Sequence, residues 1–351
     1  MAYTDIDKST DYFNTVLYTG NASAGHAITG VGFQPDWVWI KRRGTTGGNM
    51  LTDSIRGVTK TIITNETGAE QTFANGLTAF GTDGFTVGSE GGFNSSHTIV
   101  SWNWKAGTSF TNDASSTGIG SIDSEGSVNQ TAGFSICKFV GTGANATVKH
   151  GLNSAPQFII FKDTTNTKDW FVYHQDISPA NGLKLNSTGN PSADSGYFND
   201  TAPTTSVFSV GNGNTTNASS ATMISYCFSP KQGFSKFGSY VGNGNVDGTF
   251  VNVGFTPAFV LLKNQQQTEQ WWIFDNKRNG TTGNFRYFSL NPNSSSAEGT
   301  TSGDNNHIDF YSNGFKLRTT AQQLNGDDNF VYAAFAEAPF VTSSGAPAVG
   351  K

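Results

Sequence analysis

Five landmarks recur at fixed spacing in three places along the chain, and this repetition restricts the fold more than any other feature. Tyr18 and Gly20 are followed by Pro35, Trp37 and Lys41; Phe139 and Gly141 by Pro156, Phe158 and Lys162; Tyr240 and Gly242 by Pro257, Phe259 and Lys263. In each set the aromatic precedes the Gly by two residues and the Pro follows it by fifteen. A second aromatic and a Lys follow the Pro by two and six. Internal repetition at a period near one hundred residues means that one structural unit is written three times.

Two looser landmarks close each unit. A turn leads into a strand at Asp83-Gly84-Phe85-Thr86-Val87, at Ser206-Val207-Phe208-Ser209-Val210 and at Asn313-Gly314-Phe315-Lys316-Leu317. An aromatic run then ends the unit at Ser101-Trp102-Asn103-Trp104, Ser225-Tyr226-Cys227-Phe228 and Tyr332-Ala333-Ala334-Phe335. The units therefore span 13–106, 134–231 and 235–340. Outside them lie an N-terminal arm (1–12), a stretch rich in Gly, Ser, Thr and Asn (107–133) that reads as a linker or long surface loop, and a C-terminal tail (341–351).

Each landmark has a physical meaning. Pro cannot donate to a sheet ladder and belongs at the start of a strand. The nearly continuous apolar run after it, as in Trp37-Val38-Trp39-Ile40, predicts a strand buried on both faces. The Lys is expected to end that strand by returning the chain to water. Helical periodicity is almost absent; its best stretch, 53–59, is a turn or two at most. Short strands broken by turn chemistry predict an all-β protein of three tandem β-sandwich units, jelly-roll-like, or alternatively a single body with pseudo-threefold symmetry.

Composition agrees and excludes several functions. Gly numbers 42 and Phe 28, while charged residues are only 13%. The net charge of −5 argues against nucleic acid as a partner, because such a surface needs cations to replace counterions. No apolar run approaches the length of a membrane span, and the N-terminus lacks a secretory pattern. The expectation is no membrane insertion and synthesis in a cytoplasm. Cys137 and Cys227 both sit in apolar strand patterns and read as small buried hydrophobes.

Catalytic chemistry has little support. His26, His97, His150, His174 and His307 have no partners at metal-ligand spacing, so neither a metal nor a cofactor is expected. Asp53, Asp83, Glu90, Asp275 and Asp309 are candidates for a glycosidase pair, but most fall where turns favour Asp. The loop Asn243-Gly244-Asn245-Val246-Asp247-Gly248 could hold calcium but lacks a full acidic ladder. The surplus class is aromatic. Trp170, Trp271 and Trp272, with His174 at the end of a strand, are the candidates for a sugar-stacking platform or an interface. Trp271 and Trp272 are adjacent, so they point to opposite faces of their strand.

The segments Tyr18-Thr19-Gly20-Asn21, Gly30-Val31-Gly32-Phe33-Gln34-Pro35-Asp36-Trp37-Val38-Trp39-Ile40-Lys41, Gly233-Phe234-Ser235-Lys236-Phe237-Gly238-Ser239-Tyr240 and Ala334-Phe335-Ala336-Glu337-Ala338-Pro339-Phe340 resemble repeat proteins of marine bacteriophages, including phages of cyanobacteria. The resemblance covers residues 7–340. It implies a tail fibre or other virion structural protein on the virion surface and supplies no catalytic residues. The reading is a non-enzyme that contacts host cell-surface glycan as a tail fibre or receptor-binding protein. A capsid decoration protein and a polysaccharide-degrading tail enzyme are the alternatives. Other virion proteins of the tail or capsid are the expected partners, reached through an extended arm or tail, and a homo-oligomer, by analogy a trimer, is the expected assembly.

Overall fold

The computed structural model describes residues 2–278, 284–299 and 307–347. The class is all-β, as the sequence predicts. Helices among the described residues are single turns, such as Gly91–Asn94 and Gln322–Asn325, and the stretch at 53–59 is the end of a strand followed by turns.

Each unit builds an inner sheet with one strand order. In the first unit the closing strand Thr98–Trp104 lies between the opening strand Phe13–Thr19 and the strand Trp37–Arg42. In the second, Thr222–Phe228 lies between Phe134–Val140 and Phe158–Asp163. In the third, Asn329–Pro339 lies between Ser235–Val241 and Phe255–Asn264. Pro35 and Pro156 precede their strands, whereas Pro257 sits within its strand at a register shift, which relieves the missing donor.

Strand alternation explains the continuous apolar runs. Trp37 and Trp39, Phe158 and Ile160, and Phe259 and Leu261 face one shared central core. The intervening residues face outward onto small outer sheets: Val38 and Ile40 against Phe85 and Val87, and Ile159 and Phe161 against Phe208 and Val210. In the third unit Val260, Leu262, Phe315 and Leu317 are buried continuously with the central core. Each inner sheet is thus covered on both faces, and the three sandwiches share one core.

One register row shows how the units meet. Phe13, Trp104 and Trp37 are cross-strand neighbours in the first unit, as are Phe134, Phe228 and Phe158 in the second, and Ser235, Phe335 and Phe259 in the third. The rings touch between units: Trp37 lies 4.9 Å from Tyr226, Trp104 5.6 Å from Phe259 and Phe228 5.6 Å from Phe335. Each such pair contributes roughly 0.5–1.5 kcal/mol beyond its buried area.

The Gly landmark is a close backbone approach. A Cβ at Gly20, Gly141 or Gly242 would lie 1.9, 2.2 or 1.9 Å from a carbonyl oxygen of Ser95, Ala218 or Gly326. A buried asparagine ties each of these turns together. Asn94 Nδ2 donates to Asn21 Oδ1, Ser23 O and Gly88 O. Asn217 Nδ2 donates to Thr142 Oγ1, Ala144 O and Gly211 O. Asn325 Nδ2 donates to Asn243 Oδ1, Asn245 O and Thr319 O. The aromatic landmark joins in where it is tyrosine: Tyr18 donates to Phe93 O and Tyr240 to Leu324 O, both at 2.7 Å.

The Lys landmark corrects an expectation. Lys41, Lys162 and Lys263 do not return the chain to water; all three are buried. Each ammonium donates to carbonyls of its own unit and of a neighbouring one. Lys41 Nζ reaches Gly47 O and Ser294 O, Lys162 Nζ reaches Lys168 O and Thr67 O, and Lys263 Nζ reaches Glu269 O and Thr188 O. Burial pushes each of these groups down to about 8.

The segments between and beside the units also depart from the sequence expectation. The stretch 107–133 is no linker: Thr108–Asn112 and Ser124–Asn129 are strands that extend the second inner sheet to eight strands. Its Ser and Thr content hid a half-buried edge, where one face of each strand is wet. The N-terminal arm is not extended either. Ile6 enters the central core, and Tyr3 and Thr4 donate to Gly254 O and Gln232 O. Asp7 accepts from the Ser343 backbone N–H of the tail at 2.6 Å. Residues 348–351 of the tail lie outside the described residues.

Candidate functional site

Three of the four aromatic-platform candidates are structural. Trp170, Trp271 and His174 are buried and present no face to a saccharide. Trp170 and Trp271 act between units instead: Trp170 Nε1 donates to Ile63 O at 3.2 Å, and Trp271 Nε1 to Lys184 O at 2.9 Å. The first unit places Asn49 in the corresponding position, and its Nδ2 donates to Asn291 O and Ser294 O of the third. Trp272 is partly buried against the central core.

Asp53, His174 and Asp275 occupy one register position, opposite Trp37, Phe158 and Phe259. Each bonds the next unit in turn. Asp53 accepts from Tyr226 OH at 2.7 Å, His174 Nε2 contacts Tyr332 O at 3.1 Å, and Asp275 accepts from Trp102 Nε1 at 3.0 Å. Arg56 and Arg278 hold the two carboxylates at 2.6 and 2.5 Å. Since the backbone N–H of Asp176 donates to His174 Nδ1, the ring proton is assigned to Nε2. Burial pushes His174 down to about 4, and His150 likewise.

The other candidates also have structural partners. Asp83 accepts from the Gly30 and Gly32 backbone N–H groups, which lower its carboxyl from the ordinary value. His26 Nδ1 contacts Asn94 Oδ1. The proposed calcium loop closes on itself, with Asn245 and Asp247 N–H groups donating to Asn243 and Asn245 side chains, while Asp247 pairs with Lys316 and Arg318. Among the described residues no group of three or more His, Cys, Asp or Glu is placed to hold a metal ion. Both cysteines are buried and free.

The units also differ on their outer sheets. Among the described residues the first has three strands, the second two and the third four. The extra strand is Phe285–Arg286, which pairs with Ile308–Tyr311, next to Gly314–Leu317 and Phe250–Asn252. One cross-strand row of this sheet reads Phe250, Lys316, Asp309, Phe285. The same row is Ala27, Thr86, Ala79 in the first unit and Thr147, Ser209 in the second. Small residues in two units are thus replaced by aromatics flanking a charged centre in the third.

Alternation dictates this face. Ile308 and Phe310 fill the core, so Asp309 and Tyr311 point the other way. Phe250 and Phe285 stay 43% and 49% exposed, two large apolar rings left at the surface. A groove of about 480 Å³ runs along Phe285, Tyr287, His307, Asp309 and Arg318. Phe285 stacks on Tyr287 at 6.3 Å, and Tyr287 meets His307 edge-on at 6.1 Å. Asp309 is fixed by Arg318 Nε at 3.0 Å and by Tyr311 OH at 3.1 Å. Burial, aided by Asp309, raises the Tyr311 phenol above its ordinary value. Asp309 is among the carboxylates the sequence offers for a glycosidase pair and His307 is a histidine without metal-ligand spacing, but the aromatics beside them are not singled out by sequence reasoning. The signal was Phe250 and Lys316, aromatic and charged where the other units carry small residues.

Fold and surface define a class: a multi-sheet all-β protein with one aromatic and charged face on its third unit. The chain belongs to the family described as a domain of unknown function, DUF7483, which matches residues 8–339 and so takes in all three inner sheets. No curated protein matches the chain. No helix among the described residues is long and apolar enough to cross a membrane.

Proposed function

We propose that this chain is a non-enzymatic bacteriophage virion-surface protein, of tail-fibre or receptor-binding type, that holds host surface glycan on the outer sheet of its third unit. The observation that carries the reading is the row Phe250, Lys316, Asp309, Phe285 standing where the other units have small residues. Aromatic faces accept the C–H faces of sugar rings, and fixed charged groups orient hydroxyls. Asp309 bound to Arg318 and Tyr311 suits orientation rather than proton transfer.

The test is adsorption of labelled protein to host cells and to a glycan array. Phe285→Ser combined with Phe250→Ser should reduce adsorption by about tenfold or more, since two stacking contacts are removed, while leaving the melting temperature within a few degrees. Undiminished adsorption would remove the outer sheet from the account. A capsid decoration protein is the second reading, supported by three inner sheets of one strand order around a common core, a shape that matches threefold positions of a lattice. Labelling particles with antibody separates the two: signal over the head favours decoration, and signal at the tail favours the fibre.

A further inference from the structure

A second cleft, about 650 Å³ in volume, opens where the second and third units meet beside the N-terminal arm. That size lies within the usual range for small-ligand sites. Its walls are built with evident local constraints. Gly233 and Gly254 adopt positive φ, and a Cβ at either would collide with the arm, at 2.9 Å from Thr4 and 2.7 Å from the Tyr3 hydroxyl. The Tyr3 hydroxyl donates to Gly254 O at 2.7 Å, so the phenol ring is a fixed wall.

The polar groups of the cleft differ from the rest of the surface. The chain carries a net charge of −5, yet Lys231 and Lys236 line this cleft and, among the described residues, no carboxylate does. Asp5, in the adjoining hollow, is the acidic group that acts on Lys231. Gln175 and Lys236 are settled on Phe237 O and Asn252 O. The side chains of Gln157, Lys231 and Gln232 make no hydrogen bond or salt bridge among the described residues. Gln157 and Lys231 are half-buried and Gln232 is exposed; polar ends without protein partners are what a ligand's hydroxyls and charge can satisfy. Burial also draws the Lys231 ammonium below its ordinary value.

We propose that this cleft binds a carboxylated saccharide of the uronic-acid type, its carboxylate on Lys231 and Lys236, its hydroxyls on Gln157 and Gln232, and a ring against Tyr3. Amides that both donate and accept suit hydroxyls better than they suit the side chains of an acidic peptide. The cleft meets the outer sheet of the third unit only at Asn252 and shares no residue with the groove along Phe285, Tyr287, His307, Asp309 and Arg318, so it stands whether or not that groove binds glycan.

Calorimetric titration of the full chain with trigalacturonate, neutral maltotriose and triglutamate tests it. Trigalacturonate should bind at least about tenfold more tightly than either of the others, and added salt should weaken it. Lys231→Met with Lys236→Met, both side chains at the surface, should weaken trigalacturonate by about tenfold or more, and Gln157→Leu by a smaller factor. Phe285→Ser should change nothing here. Absence of trigalacturonate binding at millimolar concentration, triglutamate binding as tightly, or unchanged binding by the lysine variant would each overturn the inference. None of these results bears on adsorption through the outer sheet.

Discussion

The Tyr226 hydroxyl of the second unit donates to the Asp53 carboxylate of the first at 2.7 Å. Asp53 also accepts from the Ile55 and Arg56 backbone N–H groups and from Arg56 Nε. This is a buried, fully occupied carboxylate on a boundary between units. Removing it leaves the buried Arg56 guanidinium with Glu70, at 3.3 Å, as its remaining carboxylate partner, so Asp53→Ala should cost about 3 kcal/mol. Tyr226→Phe removes one bond to a charged acceptor and should cost about 1.5–3 kcal/mol. Urea unfolding measures both, and a loss below about 1 kcal/mol for Asp53→Ala would contradict the assigned network.

Lys41, Lys162 and Lys263 make stability rise with alkaline pH. Their ammonium groups are lowered from 10.5 to about 8 in the folded chain. Between those values the unfolded chain binds more protons than the folded one, so unfolding free energy increases with pH. The buried phenols of Tyr18, Tyr226, Tyr240 and Tyr332 are raised above 10.0 and oppose this at higher pH, because the unfolded chain then loses protons first. Stability should therefore climb from about pH 8 and turn over above about pH 10. Lys162→Met should flatten the climb in denaturant titrations taken across that range.

His150 and His174 act at the acid end. Both are lowered from 6.5 to about 4 by burial. In that window the unfolded chain takes up protons that the folded chain refuses, so stability should fall as pH drops from 6.5 toward 4. Replacing both by Gln should reduce the slope of melting temperature against pH, whatever it does to the absolute value. A slope unchanged by the double replacement would show that other groups set it.

Gly141→Ala would place a Cβ 2.2 Å from a backbone oxygen. Backbone cannot yield as a flexible side chain can, so a loss of about 1–3 kcal/mol or more is expected. Gly44→Ala, whose Cβ would lie 3.8 Å from Thr98 Oγ1, should change stability by less than about 0.5 kcal/mol. Asn217→Ala leaves Gly211 O and Ala144 O without their donor and should cost more than about 2 kcal/mol. Thermal melts of the three variants place them in order.

By itself the sequence determined the all-β class, the strand after each Pro and its burial on both faces, because alternation and apolar content are local properties of the chain. It also marked the Gly, though not its reason. The asparagines that close these turns escaped notice because Asn94, Asn217 and Asn325 stand eight, nine and eight residues before Trp102, Tyr226 and Ala333, a slip that defeats a search at fixed spacing. Only the tertiary structure decided that three sheets close on one core and that strands 108–112 and 124–129 join the second sheet. It also set the three lysines against carbonyls of neighbouring units. The physical reason is that an ammonium's partners there are backbone oxygens, which every residue carries, brought near by closure across 75, 95 and 253 residues. Nothing in side-chain identity at those distant positions records the contact.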